Sequence, residues 1–337
     1  MFFSGKKSIA LLAAASLLLT FLLSGCSAVK SLETANTKIS KTGFAFDTVI
    51  VITLYGTDDE SILDGCMELA DYYNRLLSAT LEGSDIWNIN HAEGKDTTVN
   101  EETYLLLQTA LSYASKSEGA FNPALGTVID LWDFNSESAC VPSDEDLAKA
   151  LEHIDYNNIL LKADNIVQLL DPELKVNLGA IAKGYIADRM KDYLTSMDVS
   201  SAIINLGGNV YALGEKPDGS KYTVGIQKPF DDTGSAITSV SISNQSIVTS
   251  GTYERYFEQD GVLYHHILDP DTGYPADNGL LSVTILSKES VDGDALSTTC
   301  FVLGLDEGLS LIESTSDTEA LFITEDYEFH YSSGFPK

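Results

Sequence analysis

A cysteine at position 26 decides which part of this chain has to fold, and where. It ends the stretch Leu23-Ser24-Gly25-Cys26, behind an apolar run from Ile9 to Leu23 that Lys6 and Lys7 precede. Basic start, short apolar core, small residues and then cysteine is the order of an export signal with a lipoprotein cleavage site. A retained membrane-spanning helix is the alternative, but the run is about 15 residues, short of the roughly 18–20 that a span needs. The expectation is a signal peptide over residues 1–25 and a lipid on Cys26. A tether follows through residue 42, rich in Ser, Thr and Lys over 27–41, and then a folded domain over 43–337. Two acyl chains, at ~0.8 kcal/mol per buried CH₂, anchor stably. The domain is therefore expected to work on the extracytoplasmic face of the cell membrane.

About 310 residues remain after the signal, enough for one large domain or two ordinary ones. Hydrophobic residues make up 44% and charged residues 21%, so a core can form. The formal net charge is −30, and more negative without Lys6 and Lys7. Such a surface repels nucleic acid and anionic head groups. No nucleic-acid partner is expected, and an anionic substrate needs a metal ion or local dipoles to reverse the field. Beyond Cys26 three cysteines remain, Cys66, Cys140 and Cys300. An odd number rules out a full set of intramolecular pairs, and none has metal-ligand spacing. Cys66 and Cys300 sit in apolar, helix-like contexts and read as buried thiols.

Hydrophobic period gives the elements. Phe44–Tyr55 reads as one strand and Asp58–Leu77 as a helix, with Ile62, Leu63, Cys66 and Leu69 on one face. Helices follow over Glu101–Ser117 and from Ser143, whose first turn carries Asp144, Glu145 and Asp146 where the dipole favours them. Short strands are expected at 159–161, 167–169, 175–177, 202–206, 210–213, 222–226, 239–242, 247–250 and 281–287. Helices are expected over 180–195, 294–303 and 307–314, and a closing hairpin over 320–324 and 328–331. No internal repeat and no linker beyond residue 42 is visible. Helices and antiparallel-style strands fall in separate runs, which is the α+β pattern and not strict βαβ alternation.

Four stretches carry candidate chemistry. Asn177-Leu178-Gly179-Ala180-Ile181-Ala182-Lys183-Gly184 leaves a strand and opens a helix, where free N–H groups suit a phosphate. Its spacing is that of neither a P-loop nor a Rossmann turn, and packing accounts for its glycines about as well. Asn205-Leu206-Gly207-Gly208-Asn209 permits φ > 0 or close approach of a ligand, and a tight turn serves equally. The third runs from Thr249-Ser250-Gly251-Thr252-Tyr253-Glu254-Arg255 to His265-His266-Ile267-Leu268-Asp269-Pro270 and Gly273. Adjacent strand side chains face opposite ways, so only one of the two histidines can face a site. In the fourth, Asp292-Gly293-Asp294-Ala295-Leu296-Ser297-Thr298, Asp294 and Thr298 are four residues apart on one helix face. Both offer hard oxygens of the kind Mg²⁺ takes. An N-cap Asp with a back-bonding Thr is the plainer account of that segment.

Taken together, these stretches resemble the FAD:protein FMN transferase (ApbE-type) family. The likeness runs through nearly the whole mature chain. It includes Thr48, Ser84-Asp85-Ile86, Gly119-Ala120-Phe121-Asn122-Pro123 and the four stretches above, in the same order. The resemblance implies a single T-fold-like mixed α/β domain with antiparallel sheets and flanking helices. It implies Mg²⁺-dependent transfer of FMN from FAD to a Thr or Ser hydroxyl of an acceptor protein, with release of AMP. By position, Asp294, Thr298 and the backbone oxygen of Ala180 are similar to the metal ligands. FAD is expected among Phe46, Ala120, Phe121, Asn122, Asn177, Lys183 and Ile267. His266 matches the histidine before the Asp-Pro turn, with His265 as its outward neighbour. The general base is His266 or the free carboxylate oxygen of Asp294.

Asn177, Asn122 and Asn209 stand where acidic residues are frequent in that family, which lowers the local negative charge. An amide still donates and accepts, so a nucleotide contact survives the change while a metal contact is weakened. Phe46 replaces a frequent Met, and Asp47 a frequent Gly. No Gly-x-Ser-x-Gly or Cys/His arrangement is present, as befits a reaction whose nucleophile comes from another protein. Two rival readings share the site. One is an FAD pyrophosphatase with water as the acceptor; the other is a non-catalytic flavin-binding lipoprotein.

Overall fold

The computed structural model describes residues 37–134, 136, 138–231 and 234–336. Cys26, the expected signal peptide and most of the expected tether lie outside the described residues. The first element corrects the expected strand over Phe44–Tyr55. It is a hairpin of β1 (Lys38–Ala45) and β2 (Thr48–Tyr55), paired in register from Lys38↔Tyr55 to Ala45↔Thr48. Phe46 and Asp47 form its turn with φ of 54° and 55°. Two positive φ values make the turn whose twist suits a two-residue hairpin. The folded domain thus takes in residues 38–42, which the sequence reading gave to the tether.

Period-2 burial follows along β2, where Ile50, Ile52 and Leu54 are at most 1% exposed and Val49 is 52% exposed. Helices α1 (Glu60–Leu77), α2 (Asp85–Asn90) and α3 (Glu101–Lys116) come next, with the short strand β3 (Thr97–Thr98) between the last two. Then follow α4 (Gly126–Trp132), α5 (Asp144–Leu151), β4 (Ile159–Lys162) and β5 (Ile166–Leu169). The expected strand at 175–177 is reduced to one parallel bridge, Leu125↔Lys175. Helix α6 (Ala182–Ser196) leads into β6 (Ala202–Leu206), β7 (Asn209–Leu213), β8 (Tyr222–Gln227), β9 (Ala236–Ile242) and β10 (Gln245–Gly251). A hairpin not read from the sequence, β11 (Tyr256–Gln259) and β12 (Val262–His265), turns at Asp260-Gly261. Strand β13 (Leu280–Ser287), helix α7 (Ser290–Glu313), β14 (Thr318–Thr324) and β15 (Phe329–Tyr331) complete the chain. The two helices expected over 294–303 and 307–314 are one element, broken at Gly304 (φ 79°, ψ −176°).

Eight strands form one antiparallel sheet in the order β1-β2-β6-β7-β10-β13-β14-β15. Its two faces bury different layers. Ile50, Ile52, Leu54, Ala202 and Ile204 pack with α1 and α6 residues such as Leu63, Ala70, Ile186 and Met190. Ala212, Ile247, Leu286 and Leu321 pack on the other face with Tyr222, Ile226 and Val240 of the β8–β9 hairpin. Val283 and Ile285 meet Leu296, Cys300 and Phe301 of α7. Strand β13 is buried at every position, so it is the centre of the layered core. Each fully buried aliphatic there contributes ~1.5–3 kcal/mol. Helix α7 is apolar and long enough to cross a membrane by length and composition, but half of its most apolar window is buried in this core. Cys66 and Cys300 are buried free thiols that burial pushes up to about 12, and Cys140 is exposed and free.

Candidate functional site

Two helix N-termini, the β1–β2 turn and the base of the β11–β12 hairpin meet in one place. Asn177 shapes the entry to α6: its Oδ1 accepts the Gly179 N–H at 2.8 Å, and its own N–H donates to the Pro123 carbonyl at 2.9 Å. That second bond joins the 119–123 loop to the 177–184 segment, which are far apart in sequence. Lys183, in the first turn of α6, donates to the Gly179 carbonyl at 3.1 Å and reaches within 3.7 Å of Asp294 Oδ1.

Asp294 is 4% exposed, and its Oδ2 accepts the Gly184 N–H at 2.8 Å. In an uninterrupted α-helix that N–H would go to the carbonyl four residues back, which is Ala180. Among the described residues no backbone N–H donates to the Ala180 carbonyl. Gly184 sits in the first turn of α6, where an N–H has no intrahelical partner, so the Asp294 carboxylate caps it and the Ala180 carbonyl just before the helix is left open. Thr298 is one turn further along α7, half-buried, with its Oγ1 3.4 Å from Ser250 Oγ. A carboxylate, a hydroxyl and an open carbonyl make a set of hard oxygens able to hold Mg²⁺. Among the described residues no group of three or more His, Cys, Asp and Glu is arranged for a metal.

His266 keeps the position expected of it, while His265 turns inward and not outward. His265 ends β12 and is 7% exposed. Its Nε2 donates to the Ala276 carbonyl at 3.2 Å and its Nδ1 accepts the Ile267 N–H at 3.3 Å. Both ring nitrogens are occupied inside the protein, so His265 is an inward latch and not an outward neighbour. Burial pushes it down to about 4 and keeps it neutral. His266 is half-buried, and its Nδ1 lies 3.3 Å from the Arg255 carbonyl. A carbonyl only accepts, so Nδ1 carries the proton and Nε2 keeps a lone pair. Burial, with help from Arg255, His265 and Lys183, pushes His266 down to about 3.

Glu254 was not among the candidates. Its side chain reaches solvent, yet surrounding protein pushes its carboxyl up to about 7, against the pull of Lys183 and Arg255 and with a further push from Asp294. Arg255 also donates from Nη2 to the Asp47 carbonyl at 3.3 Å, which pins the β1–β2 turn to the site. The only sequence signal for Glu254 is its place next to Arg255 in a glycine-led turn. The turn after His266 is held from below. Trp132 donates from Nε1 to the Gly273 carbonyl at 2.8 Å, within a cluster that includes Phe257, Tyr264 and Tyr274.

Other expected contacts are already committed. Phe121 is 2% exposed in the core, and Ile267 is 4% exposed. The Asn122 side chain donates to the Ile154 carbonyl at 3.0 Å and accepts the Ala124 N–H at 2.8 Å. The N–H of Ala120 goes to the Ser117 carbonyl at 3.1 Å. Phe46 is half-buried and presented at the turn. Ser84 and Asp85 serve the scaffold: Ser84 Oγ caps α2, and Asp85 Oδ2 accepts from Asn100 N–H and Thr103 hydroxyl at 2.8 and 2.6 Å. Gly207 lies so close to Thr48 that a Cβ would sit 1.9 Å from its Oγ1, so the Gly207-Gly208 turn serves packing. Asn209 accepts the Ser290 hydroxyl at 2.6 Å, and its Nδ2 is buried without a partner.

A family model described as the ApbE family matches residues 46–322. A Klebsiella pneumoniae protein named FAD:protein FMN transferase is 41% identical over 286 residues, covering 84% of this chain and 88% of the relative. A Treponema pallidum protein of the same name is 39% identical over 287 residues, covering 81% and 79%. Among solved structures, the ApbE protein from Thermotoga maritima is similar with a TM-score of 0.82 and 34% identity, covering 88% of this chain and 97% of that one. The flavin transferase ApbE from Vibrio cholerae is similar with a TM-score of 0.80 and 28% identity, covering 89% and 98%.

Proposed function

We infer the function from the premise that the chain belongs to the ApbE family. It is a flavin transferase that takes FMN from FAD to a protein. The acceptor atom in this reading is a Thr or Ser hydroxyl oxygen, the leaving group is AMP, and Mg²⁺ is required. The observation that carries the reading is the Asp294 carboxylate taking the Gly184 N–H, with the Ala180 carbonyl open just before the same helix and Thr298 one turn on.

Lys183 and Arg255 draw the diphosphate of FAD into a chain whose overall charge repels it. Asp294, Thr298 and the Ala180 carbonyl would hold Mg²⁺, and three protein oxygens leave coordination positions for water and phosphate. When bound, Mg²⁺ neutralises charge on the diphosphate and on the departing AMP. The acceptor oxygen bonds to the phosphorus of the FMN half, and the bridging bond to AMP breaks, AMP keeping the electron pair. The acceptor proton goes to His266 Nε2, the nitrogen with the free lone pair. Asp294 Oδ1, the oxygen not bonded to Gly184, is the second candidate. Burial holds His266 down first and the nearby cations add to it; an anionic diphosphate beside Arg255 and Lys183 would offset that second part and strengthen the base once FAD is in place.

Cys26 carries the lipid in this reading and holds the domain at the extracytoplasmic face, near acceptors in or on the same membrane. The order of residues 6–26 supports it. The test is incubation with FAD, Mg²⁺ and a Thr/Ser-bearing acceptor, followed by fluorescence of the acceptor band on a denaturing gel. A fluorescent band that Asp294→Ala abolishes is the expected result. Undiminished labelling by that variant would remove Asp294 from the chemistry.

A further inference from the structure

We propose that Asp188 is a positioning residue for the transfer site: with Asp294 it closes a reciprocal clamp that sets α6 against α7. The inference rests on the phosphoryl-transfer reading above for its effect on turnover. The clamp itself is a matter of geometry.

A helix starts with N–H groups that need an acceptor, and a residue at the cap usually supplies one. Neither helix of the site does so. The cap position of α6 is Ile181, which has no acceptor, and that of α7 is Glu289, whose side chain makes no capping bond. Each helix is capped by the other. Asp294 of α7 accepts the Gly184 N–H of α6 at 2.8 Å. Asp188 of α6 accepts two N–H groups of α7, Ser290 to Oδ1 and Val291 to Oδ2, both at 2.9 Å. Gly184 and Asp188 are one turn apart on α6, and Ser290 and Asp294 are one turn apart on α7. The two bridges therefore run between antiparallel helices and close a ring.

A ring of this kind removes sliding along the helix axes, which one bridge alone would permit. Asp294 and Thr298 ride on the same rigid helix as Ser290, so an error at Ser290 is carried to both. The Ala180 carbonyl enters α6 just before the other end of the ring. Asp188 thus controls the spacing of all three candidate metal oxygens without touching substrate. The start of α7 is tied to the sheet as well, since the Ser290 hydroxyl donates to Asn209 and lies 2.7 Å from Ser246 Oγ. Lys191 lies 3.6 Å from Asp188 Oδ1 and also pairs with Glu289. Burial pushes the Asp188 carboxyl up to about 6 against these favourable contacts.

The test compares wild type with Asp188→Asn, an isostere that keeps one acceptor oxygen and turns an NH₂ toward the other N–H. Amide hydrogen exchange is followed at Gly184 and along β13, and transfer kinetics are measured on the same samples. The expected result is exchange at Gly184 at least ten-fold faster with β13 unchanged. Transfer kcat falls about ten-fold or more while the KM for FAD moves less than three-fold, since a misplacement of about 1 Å costs up to 10² in rate. Unchanged exchange at Gly184, a uniform rise that includes β13, or full kcat despite faster exchange at Gly184 would each overturn the proposal. Should Asp188→Asn not fold, Asp188→Glu keeps the charge and displaces the clamp by one methylene, and the same outcomes apply. Exchange at Gly184 reads the clamp even in a protein that transfers nothing, so failure of the transfer reading is seen separately.

Discussion

Gly184→Ala tests the helix contact from which the site is built. A Cβ at this position would lie 2.3 Å from the Ser290 carbonyl oxygen and 2.7 Å from Ser290 C and Val291 Cα. All three are backbone atoms, so no side chain can turn aside. Ordinary contact begins at 3.4 Å, and the helices must part by about 1 Å to reach it. The Gly184 N–H bond to Asp294, now 2.8 Å, would lengthen to about 3.8 Å and cease to be a hydrogen bond. Overpacking and the weakened charge-assisted bond together destabilise by about 2–4 kcal/mol. In a domain of about 300 residues that lowers the melting temperature by roughly 3–6 °C. The same shift moves Asp294 and should lower transfer kcat by about 10²-fold. Calorimetry and the fluorescent-band assay on one preparation give both numbers. Intrinsic helix preference argues the opposite sign, because Ala is better than Gly inside a helix by about 1 kcal/mol. A variant as stable as wild type, or more so, with full activity would refute the close-contact argument.

His266→Ala should lower kcat by about 10²–10⁴, while His265→Ala should chiefly lower the melting temperature. It strands the Ala276 carbonyl and the Ile267 N–H, and steady-state rates beside thermal melts separate the two effects. Glu254 is protonated below about 7, which leaves the site one negative charge fewer. Apparent affinity for FAD should therefore be higher at pH 6 than at pH 8, and Glu254→Gln should flatten that dependence in a fluorescence titration. Asp188 binds its proton more tightly folded than unfolded, so its ionisation weakens the fold as pH rises from about 4 through about 6. The full effect is about 3 kcal/mol. With Lys191 and Glu289 unchanged, the stability of wild type relative to Asp188→Asn should fall across that window in denaturant titrations.

Local pattern located what is locally encoded. Strand Ala202–Leu206 ends where its apolar residues end, and Asp294 and Thr298 share a helix face because their spacing allows little else. The Phe46-Asp47 turn was hidden because such turns usually carry Asn-Gly or Asp-Gly, while aromatic residues in that conformation are rare. The inward direction of His265 was not legible: β12 ends at His265, and the chain then bends, so alternation stops where it was needed. The side chains of Phe121 and Ile267, expected near FAD, are buried, and that burial depends on what covers them in three dimensions. The Asp188 clamp joins residues about a hundred positions apart and has no local signature. Nor had the raised carboxyl of Glu254, which comes from the protein around it and from Asp294 brought in by a distant segment, against the opposing pull of Lys183 and Arg255.

The central claim is tested most directly by mass. The protein, FAD and Mg²⁺ are mixed with an acceptor that carries one reactive Thr or Ser, and intact-mass spectrometry of the acceptor is set beside chromatography of the nucleotides. The account predicts an acceptor heavier by one FMN and an equal amount of AMP, with neither product formed by Asp294→Ala. AMP with free FMN and an acceptor of unchanged mass would show hydrolysis in place of transfer, and would contradict it.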